Sequence, residues 1–164
     1  MNLTCAILLF LAGYLTKLND DEIDKDKKHR AELRHAVIAI VAALMILYVF
    51  LFGDVEEFLM AVVLASIFMG KIDNLAHGIL AASVILGFVL IGGYIDINLL
   101  LFFFIAAAVD ETNIPIIKDY RPVLKIATLY PAFLGYYSPL IAVIVFDAGY
   151  VAKSVLEKIL KNTL

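Results

Sequence analysis

The stretch HAVIAIVAALMILYVFLFG, residues 35 to 53, contains no Asp, Glu, Lys or Arg over 19 positions. A hydrocarbon core of about 30 Å is crossed by a helix of about 20 apolar residues, so this stretch is long enough to span a bilayer. Other uncharged runs flank it, at residues 1 to 16, 58 to 70, 74 to 95, 97 to 109 and 126 to 146. The pattern predicts an all-α integral membrane protein.

The composition agrees with this interpretation. The 164-residue chain is 63% hydrophobic and has a mean hydropathy of +0.97, whereas soluble domains are close to half apolar. We expect a single transmembrane helical domain over residues 1 to 164, a bundle of 5 to 6 transmembrane helices. We expect no nucleic-acid partner, because the bases are few and are neutralised by nearby acids.

The last uncharged run has two interpretations. Within LYPAFLGYYSPLIAVIVFD, residues 129 to 147, Pro131, Gly135 and Pro139 fall inside nine positions. Proline inside a helix removes a hydrogen bond and kinks it, so the segment is either a kinked full span or a re-entrant hairpin that turns near Gly135. The hairpin would return the basic tail to the side from which the segment entered.

The distribution of bases predicts an orientation. We number each loop by the uncharged run that it follows. Loops 1, 3 and 5 contain the bases, at residues 17 to 34, at Lys71 and at residues 118 to 125, whereas loops 2 and 4 contain acids at residues 54 to 57 and at Asp96 and no base. Because Lys and Arg are retained on the inner side, we expect a multi-pass protein of the cell membrane with its N-terminus outside and its odd loops in the cytoplasm.

Acids follow the first, third and fifth segments and are therefore expected at the cytoplasmic face. They are Asp20, Asp21 and Asp24, then Asp73, then Asp110. On a helix Asp20 and Asp24 share one face and Asp21 adjoins Asp24. Mg²⁺ takes one or two carboxylates and bridges to phosphates, so Asp20, Asp21, Asp24 and Asp73 are the candidate metal ligands.

Bases near these acids are candidates for binding a phosphate group. They are Lys28, Arg30 and Arg34 in loop 1 and Lys118, Arg121 and Lys125 in loop 5. The alternative for loop 1 is a solvated helix end, in which Asp21 pairs with Lys25 and Asp24 with Lys28 at i, i+4.

Asp21, Asp24 and Asp110 are the candidate catalytic residues. A helix rises about 21 Å from Asp96 to Asp110, which leaves Asp110 short of the inner boundary of a core about 30 Å thick. A carboxylate inside the bilayer indicates function, whereas one at the interface needs no special role. His77 lies four residues after Asp73, so the pair is a proton relay, a pair of metal ligands or an interfacial hydrogen bond.

The stretch GYLTKLNDDEIDKDKKHRAELRHAVIAIVAAL, residues 13 to 44, resembles a part of polyprenyl-phosphate sugar-1-phosphate transferases in which a helix ends in Asp-Asp-x-x-Asp. Asp20, Asp21 and Asp24 match that spacing. The stretch is also similar to the Asn-Asp-x-x-Asp motif of UbiA-type intramembrane prenyltransferases, where Asn19 and Asp20 fit and Ile23 departs from the pattern. The resemblance implies aspartate-bound Mg²⁺ and a polyprenyl phosphate or diphosphate. It covers about 32 residues, and members of both families are nearly twice as long as this chain, so it does not describe an orthodox member.

These observations favour a small membrane enzyme that acts on a lipid-linked, polyprenyl-type phosphate with aspartate-bound Mg²⁺. Its partners would be the lipid bilayer and an isoprenoid-phosphate lipid. The alternatives are a transporter or channel for an ion or small solute, with Asp73, His77, Asp110 and Asp147 along a polar path, and an accessory subunit of a membrane complex or a homo-oligomer. The sequence leaves open whether the protein is an enzyme.

Overall fold

The computed structural model describes residues 1–25, 32–72, 74–91, 95–112 and 122–163, without the side chains of 22–25, 32, 91 and 160–163. These ranges form seven α-helices and no strand, which confirms the all-helical prediction. The helices are α1 (Leu3–Lys25), α2 (Glu32–Phe52), α3 (Glu56–Phe68), α4 (Leu75–Ile91), α5 (Ile97–Asp110), α6 (Pro122–Phe133) and α7 (Ser138–Thr163).

Three helices in the described part of the chain are long and apolar enough to cross a bilayer. The qualifying segments are Leu3–Asp21 of α1, Leu33–Phe52 of α2 and Ser138–Ile159 of α7. The apolar segments Leu75–Leu90 and Ile97–Asp110 are shorter. Helices α3, α5 and α6 have 13, 14 and 12 residues and rise only about 18 to 21 Å, well below a core of about 30 Å.

The chain reverses direction between α6 and α7 instead of continuing as one kinked helix. At the end of α6 the N–H of Tyr136 bonds to the carbonyl of Pro131 and the N–H of Gly135 bonds to that of Ala132, at 2.9 and 3.0 Å. This pair of bonds is a Schellman motif, and its left-handed position is occupied by Gly135 with φ +91°. Lys125 of α6 then reaches Asp147 of α7, as in an antiparallel hairpin. The turn lies where the hairpin interpretation predicted it.

Neighbouring helices make contact in the order α1, α2, α4, α3, α5, α6, α7 and back to α1. The largest side chains buried among them are Phe50 of α2 and Phe103 of α5. Contacts at the helix ends define two ends of the bundle. The acidic end, with Asp54, Glu56, Glu57 and Asp96, contains the start of α5 and the α6–α7 turn, since the Tyr136 hydroxyl donates to the Asp54 carbonyl at 2.6 Å and the Asp96 N–H donates to Glu57 at 3.2 Å. The end of α1 lies at the opposite, mixed-charge end.

Two glycines let the backbones of α1 and α7 touch. A Cβ on Gly13 would collide with the carbonyl oxygen of Phe146, and a Cβ on Gly149 would collide with that of Phe10. Small residues permit such close approach, which drives helix association in lipid, where apolar side chains gain little by leaving the tails. The two helices run parallel, because α7 begins beside the start of α1 and its later residues reach the end of α1.

We predict that Gly13→Ala destabilises the protein by about 1 to 3 kcal/mol, because the added methyl group must push α7 away. Gly78→Ala is the matched control: it is also in a helix, and a methyl group added there would have no atom within 4 Å outside that helix's local backbone. The buried Cys5, the single cysteine of the chain, allows unfolding to be followed with a thiol-reactive dye. Equal unfolding midpoints for the two variants would contradict the close contact.

Candidate functional site

A group of charged side chains joins the end of α1 to the second half of α7. This charge cluster consists of Lys17 and Asp21 of α1 with Lys153 and Glu157 of α7. Asp21 accepts from both lysines, at 2.8 Å from the Lys17 ammonium and 2.5 Å from that of Lys153. The Lys153 ammonium also lies 2.6 Å from Glu157. The four formal charges cancel.

Burial makes this cluster structurally important. The Lys153 side chain is only 3% exposed and that of Asp21 is 17% exposed. A buried ammonium is tolerated when carboxylates replace its water shell, and Lys153 has two of them. The ion pair of Asp21 with Lys153 therefore holds α7 against α1.

Asp20 faces a different set of partners, which we call the Asp20 network. His77 of α4 approaches one carboxylate oxygen of Asp20 through Nε2 at 3.1 Å, and the Tyr150 hydroxyl of α7 donates to the other at 3.3 Å. The Lys17 ammonium lies 5.0 Å from the centre of the Tyr150 ring, which links this network to the charge cluster. Helices α1, α4 and α7 thus meet at Asp20.

The hydrogen bonds around His77 indicate which tautomer its neutral form adopts. Asn74 uses its carbonyl oxygen to accept from the His77 backbone N–H at 2.9 Å, so its amide nitrogen is the atom that lies 3.0 Å from Nδ1 of His77. An amide nitrogen can only donate, hence Nδ1 accepts and the proton of a neutral imidazole is on Nε2. That proton points at Asp20.

Asn19 and His35 connect α1 to the first turn of α2. Asn19 is 3% exposed, its side-chain oxygen lies 2.9 Å from Nδ1 of His35, and its amide nitrogen donates to the His35 carbonyl at 3.4 Å. The asparagine that fits the prenyltransferase-like motif therefore serves helix packing here.

Asp110 lies elsewhere and has a local role. It is 2% exposed, and its two oxygens accept from the backbone N–H groups of Val123 and Leu124 at 3.0 and 2.6 Å. These donors lie in the first turn of α6, where no helical acceptor exists for them. Asp110 thus caps α6 from the end of α5, whereas the partners of Asp20 belong to α4 and α7.

The predicted phosphate-binding bases are only partly described. Arg34 is exposed in the first turn of α2. Lys125 forms an ion pair with Asp147 at 2.6 Å, with 39% and 28% of the two side chains exposed. Lys28, Arg30, Lys118 and Arg121 lie outside the described residues.

The predicted metal ligands are likewise only partly described. Asp73 and the side chain of Asp24 lie outside the described part. Asp20 and Asp21 do not converge on one point, since adjacent residues of a helix point in different directions and these two have different partners. No three His, Cys, Asp or Glu side chains among the described residues are arranged to hold a metal ion.

Sequence reasoning did not select the side chains that α7 contributes. Tyr150, Lys153 and Glu157 stand three and four residues apart and so share one helix face. That spacing was visible in the sequence, but only the hairpin between α6 and α7 brings this face to the end of α1.

The chain matches no protein-family description, and no curated protein or solved structure matches it either. The resemblance of residues 13 to 44 to polyprenyl-phosphate enzymes therefore stays a prediction.

We predict that Asp21→Asn lowers the free energy of unfolding by about 3 kcal/mol, because the buried Lys153 loses one of its two carboxylates. The double variant Asp21→Asn/Lys153→Met should lose less than the sum of the single variants, since it removes both members of the pair. Asp147→Asn breaks a more exposed pair and should cost less than about 1 kcal/mol. Additive losses, measured by unfolding in mixed micelles, would contradict the coupling.

Proposed function

We propose that this protein is a small multi-pass enzyme of the cell membrane that acts on a lipid-linked, polyprenyl-type phosphate or diphosphate. Aspartate-bound Mg²⁺ at the mixed-charge end would neutralise the phosphate oxygens. One observation carries the proposal: Asp20 lies 3.1 Å from His77 at the start of α4. Asp20 is thereby brought to α4 at a residue four positions after Asp73 in the sequence.

The geometry changes the roles that we assign to the acids. Asp21 is neutralised by Lys17 and Lys153, so we propose it as a positioning residue. Asp20 lies within hydrogen-bonding distance of the His77 imidazole and accepts from the Tyr150 phenol, and no lysine or arginine of the described residues pairs with it, so we propose it as the first ligand of the cation. Asp24, four residues after Asp20, and Asp73, four residues before His77 in the sequence, are the proposed further ligands.

The phosphate groups of the substrate would meet the bases of loop 1. Arg34 is exposed one residue before His35, which is bonded to Asn19, the neighbour of Asp20 in the chain. Lys28 and Arg30 precede it by a few residues. Lys125 contributes less to this proposal, because Asp147 already neutralises it. The isoprenoid chain would lie along the apolar side chains that α2 exposes, among them Leu33, Val37 and Leu44.

The distribution of bases supports a cytoplasmic location for this end. All 13 Lys and Arg fall at residues 17 to 34, 71, 118 to 125 and 153 to 161. The parallel packing of α1 and α7 takes the last of these groups to the side where α1 ends. If residues 126 to 146 crossed the membrane as a sixth full span, the basic tail would lie on the outer side, against the positive-inside rule. A hairpin between α6 and α7 avoids this conflict.

A proton-coupled carrier is the second candidate. The observation in its favour is the continuous hydrogen-bonded series of Asn74, His77, Asp20 and Tyr150, which links three helices through titratable groups. Proton transfer along such a series needs no divalent ion, so binding of a divalent ion discriminates between the two candidates.

We predict that the purified full chain binds Mn²⁺ in competition with Mg²⁺, and that Asp20→Asn lowers this affinity about tenfold or more, since a ligand charge is lost. Asp147→Asn, which removes an equal charge outside the proposed site, should leave it within about twofold. Electron paramagnetic resonance of free Mn²⁺ gives the affinities. Addition of a polyprenyl phosphate should raise them, because the phosphate completes the coordination shell.

Unchanged Mn²⁺ affinity in Asp20→Asn would refute the metal site. Mn²⁺ binding that a polyprenyl phosphate does not affect would refute the substrate class.

The orientation is tested with a membrane-impermeant maleimide in a Cys5→Ser background. We expect Asn98→Cys, at the acidic end, to be labelled in intact cells, and Lys158→Cys to be labelled only after permeabilisation. Both native residues are exposed, so access to the reagent depends on the side of the membrane. The reverse pattern would contradict the proposed orientation.

A further inference from the structure

An open groove at the acidic end is independent of the proposed metal site. One wall is formed by the first turns of α5, with Asp96, Asn98 and Phe102, and the other by the end of α6 and the following turn, with Tyr130, Leu134 and Tyr136. Its volume of about 460 Å³ is within the range of small-ligand sites.

Aromatic rings from both walls meet in this groove. The centroids of Phe102 and Tyr130 lie 5.6 Å apart with the rings tilted by 53°. Both rings are partly exposed, at 39% and 60%. Exposed aromatic rings offer electron-rich faces to a cation with an apolar periphery.

The Asp96 carboxylate uses one of its two oxygens in hydrogen bonds to the described residues. One oxygen caps α5 by accepting from the N–H groups of Asn98 and Leu99 at 2.9 and 3.2 Å. The other has no hydrogen-bond partner among the described residues. A negative charge is thus fixed in the groove by a helix cap while half of the carboxylate remains available.

The surroundings of the groove strengthen its negative potential. Asp54, Glu56 and Glu57 belong to the same end, where the one nearby cation among the described residues is the Met1 ammonium, 4.0 Å from Asp54, and no Lys or Arg occurs in residues 35 to 70, 72 to 117 or 126 to 152. Burial, together with these three acids, raises the pKa of the Tyr136 phenol. The pKa of a groove residue thus reflects these negative charges as well as burial. An anionic ligand would be repelled.

We propose that this groove binds a substituted ammonium ion, held by the Asp96 carboxylate and the faces of Phe102 and Tyr130. A quaternary or alkylated ammonium is weakly hydrated and leaves water for aromatic faces more readily than a small metal ion does. The ion would be either a free organic amine or the headgroup of a choline-type lipid, since the groove is open at the end of the bundle.

Choline and its neutral isostere 3,3-dimethylbutan-1-ol test the proposal by calorimetry on the full chain in a maltoside detergent. We expect choline to bind about tenfold or more tightly than the alcohol, because the two differ only in charge. Asp96→Asn should weaken choline binding about tenfold, and Asn retains the helix cap. Phe102→Leu should weaken it as well, because the ring face is lost while an apolar side chain remains.

Asp54→Asn is the matched control. It removes one charge from the same end, Asp54 does not line the groove, and Asn tolerates the φ of 53° at this position. It should change choline affinity by no more than about twofold. Equal affinity for choline and the alcohol, or equal losses in Asp96→Asn and Asp54→Asn, would overturn the proposal.

Lipid nanodiscs distinguish the two sources of the ammonium group. If choline-type lipids occupy the groove, discs of phosphatidylcholine should compete and weaken free choline binding relative to discs of phosphatidylglycerol. If a free amine is the ligand, the two discs should give equal affinity. Both results support the proposed ligand class, whereas no binding of choline in either disc would overturn it.

Discussion

The backbone contact between α1 and α7 at Gly13 and Gly149 determines where the polar side chains of this protein meet. In lipid, helices associate by close packing and by polar contacts, because apolar side chains are solvated equally well by lipid tails. The two glycines provide the close packing, and the charge cluster provides the polar contacts a few residues further along. The parallel direction of the two helices is essential, since in an antiparallel α7 Lys153 would lie at the acidic end, away from Asp21.

The two ends of the bundle use acidic side chains in different ways. At the mixed-charge end Asp21 is neutralised by two lysines, and Asp20, its neighbour, is held by an imidazole and a phenol. At the acidic end Asp96 is held by backbone N–H groups at the start of α5, with no ammonium or guanidinium partner in the described part of the chain. A carboxylate that is held by dipoles retains its net charge, whereas one that is held by ammonium groups does not. Asp20 and Asp96 are the acids that we propose as partners of cations, a metal ion in one case and an organic ammonium in the other.

Asp110 is a buried acid whose contacts in this structure cap a helix. Its distance from Asp96 along the chain left open a functional carboxylate within the bilayer or an acid at the interface, and in the structure both oxygens accept from the first turn of α6. A short helix such as α6 has few internal hydrogen bonds compared with its unsatisfied ends, so an acid from a neighbouring helix is an effective cap. This role could not be read from spacing along the chain, because 12 residues separate Asp110 from Val123.

The sequence by itself determined the helical class, the positions of most helices and the end at which the bases collect, because uncharged length and charge are local properties of the chain. It left open a kinked span or a turn near Gly135, and the structure has the turn, where glycine readily adopts the required backbone angle. The tertiary structure decided which side chains meet: Asp20 with His77, Asp21 with Lys153, and Phe102 with Tyr130. These residues are 57, 132 and 28 positions apart, and their encounters depend on the order in which helices pack and on the direction of α7, which no local pattern encodes.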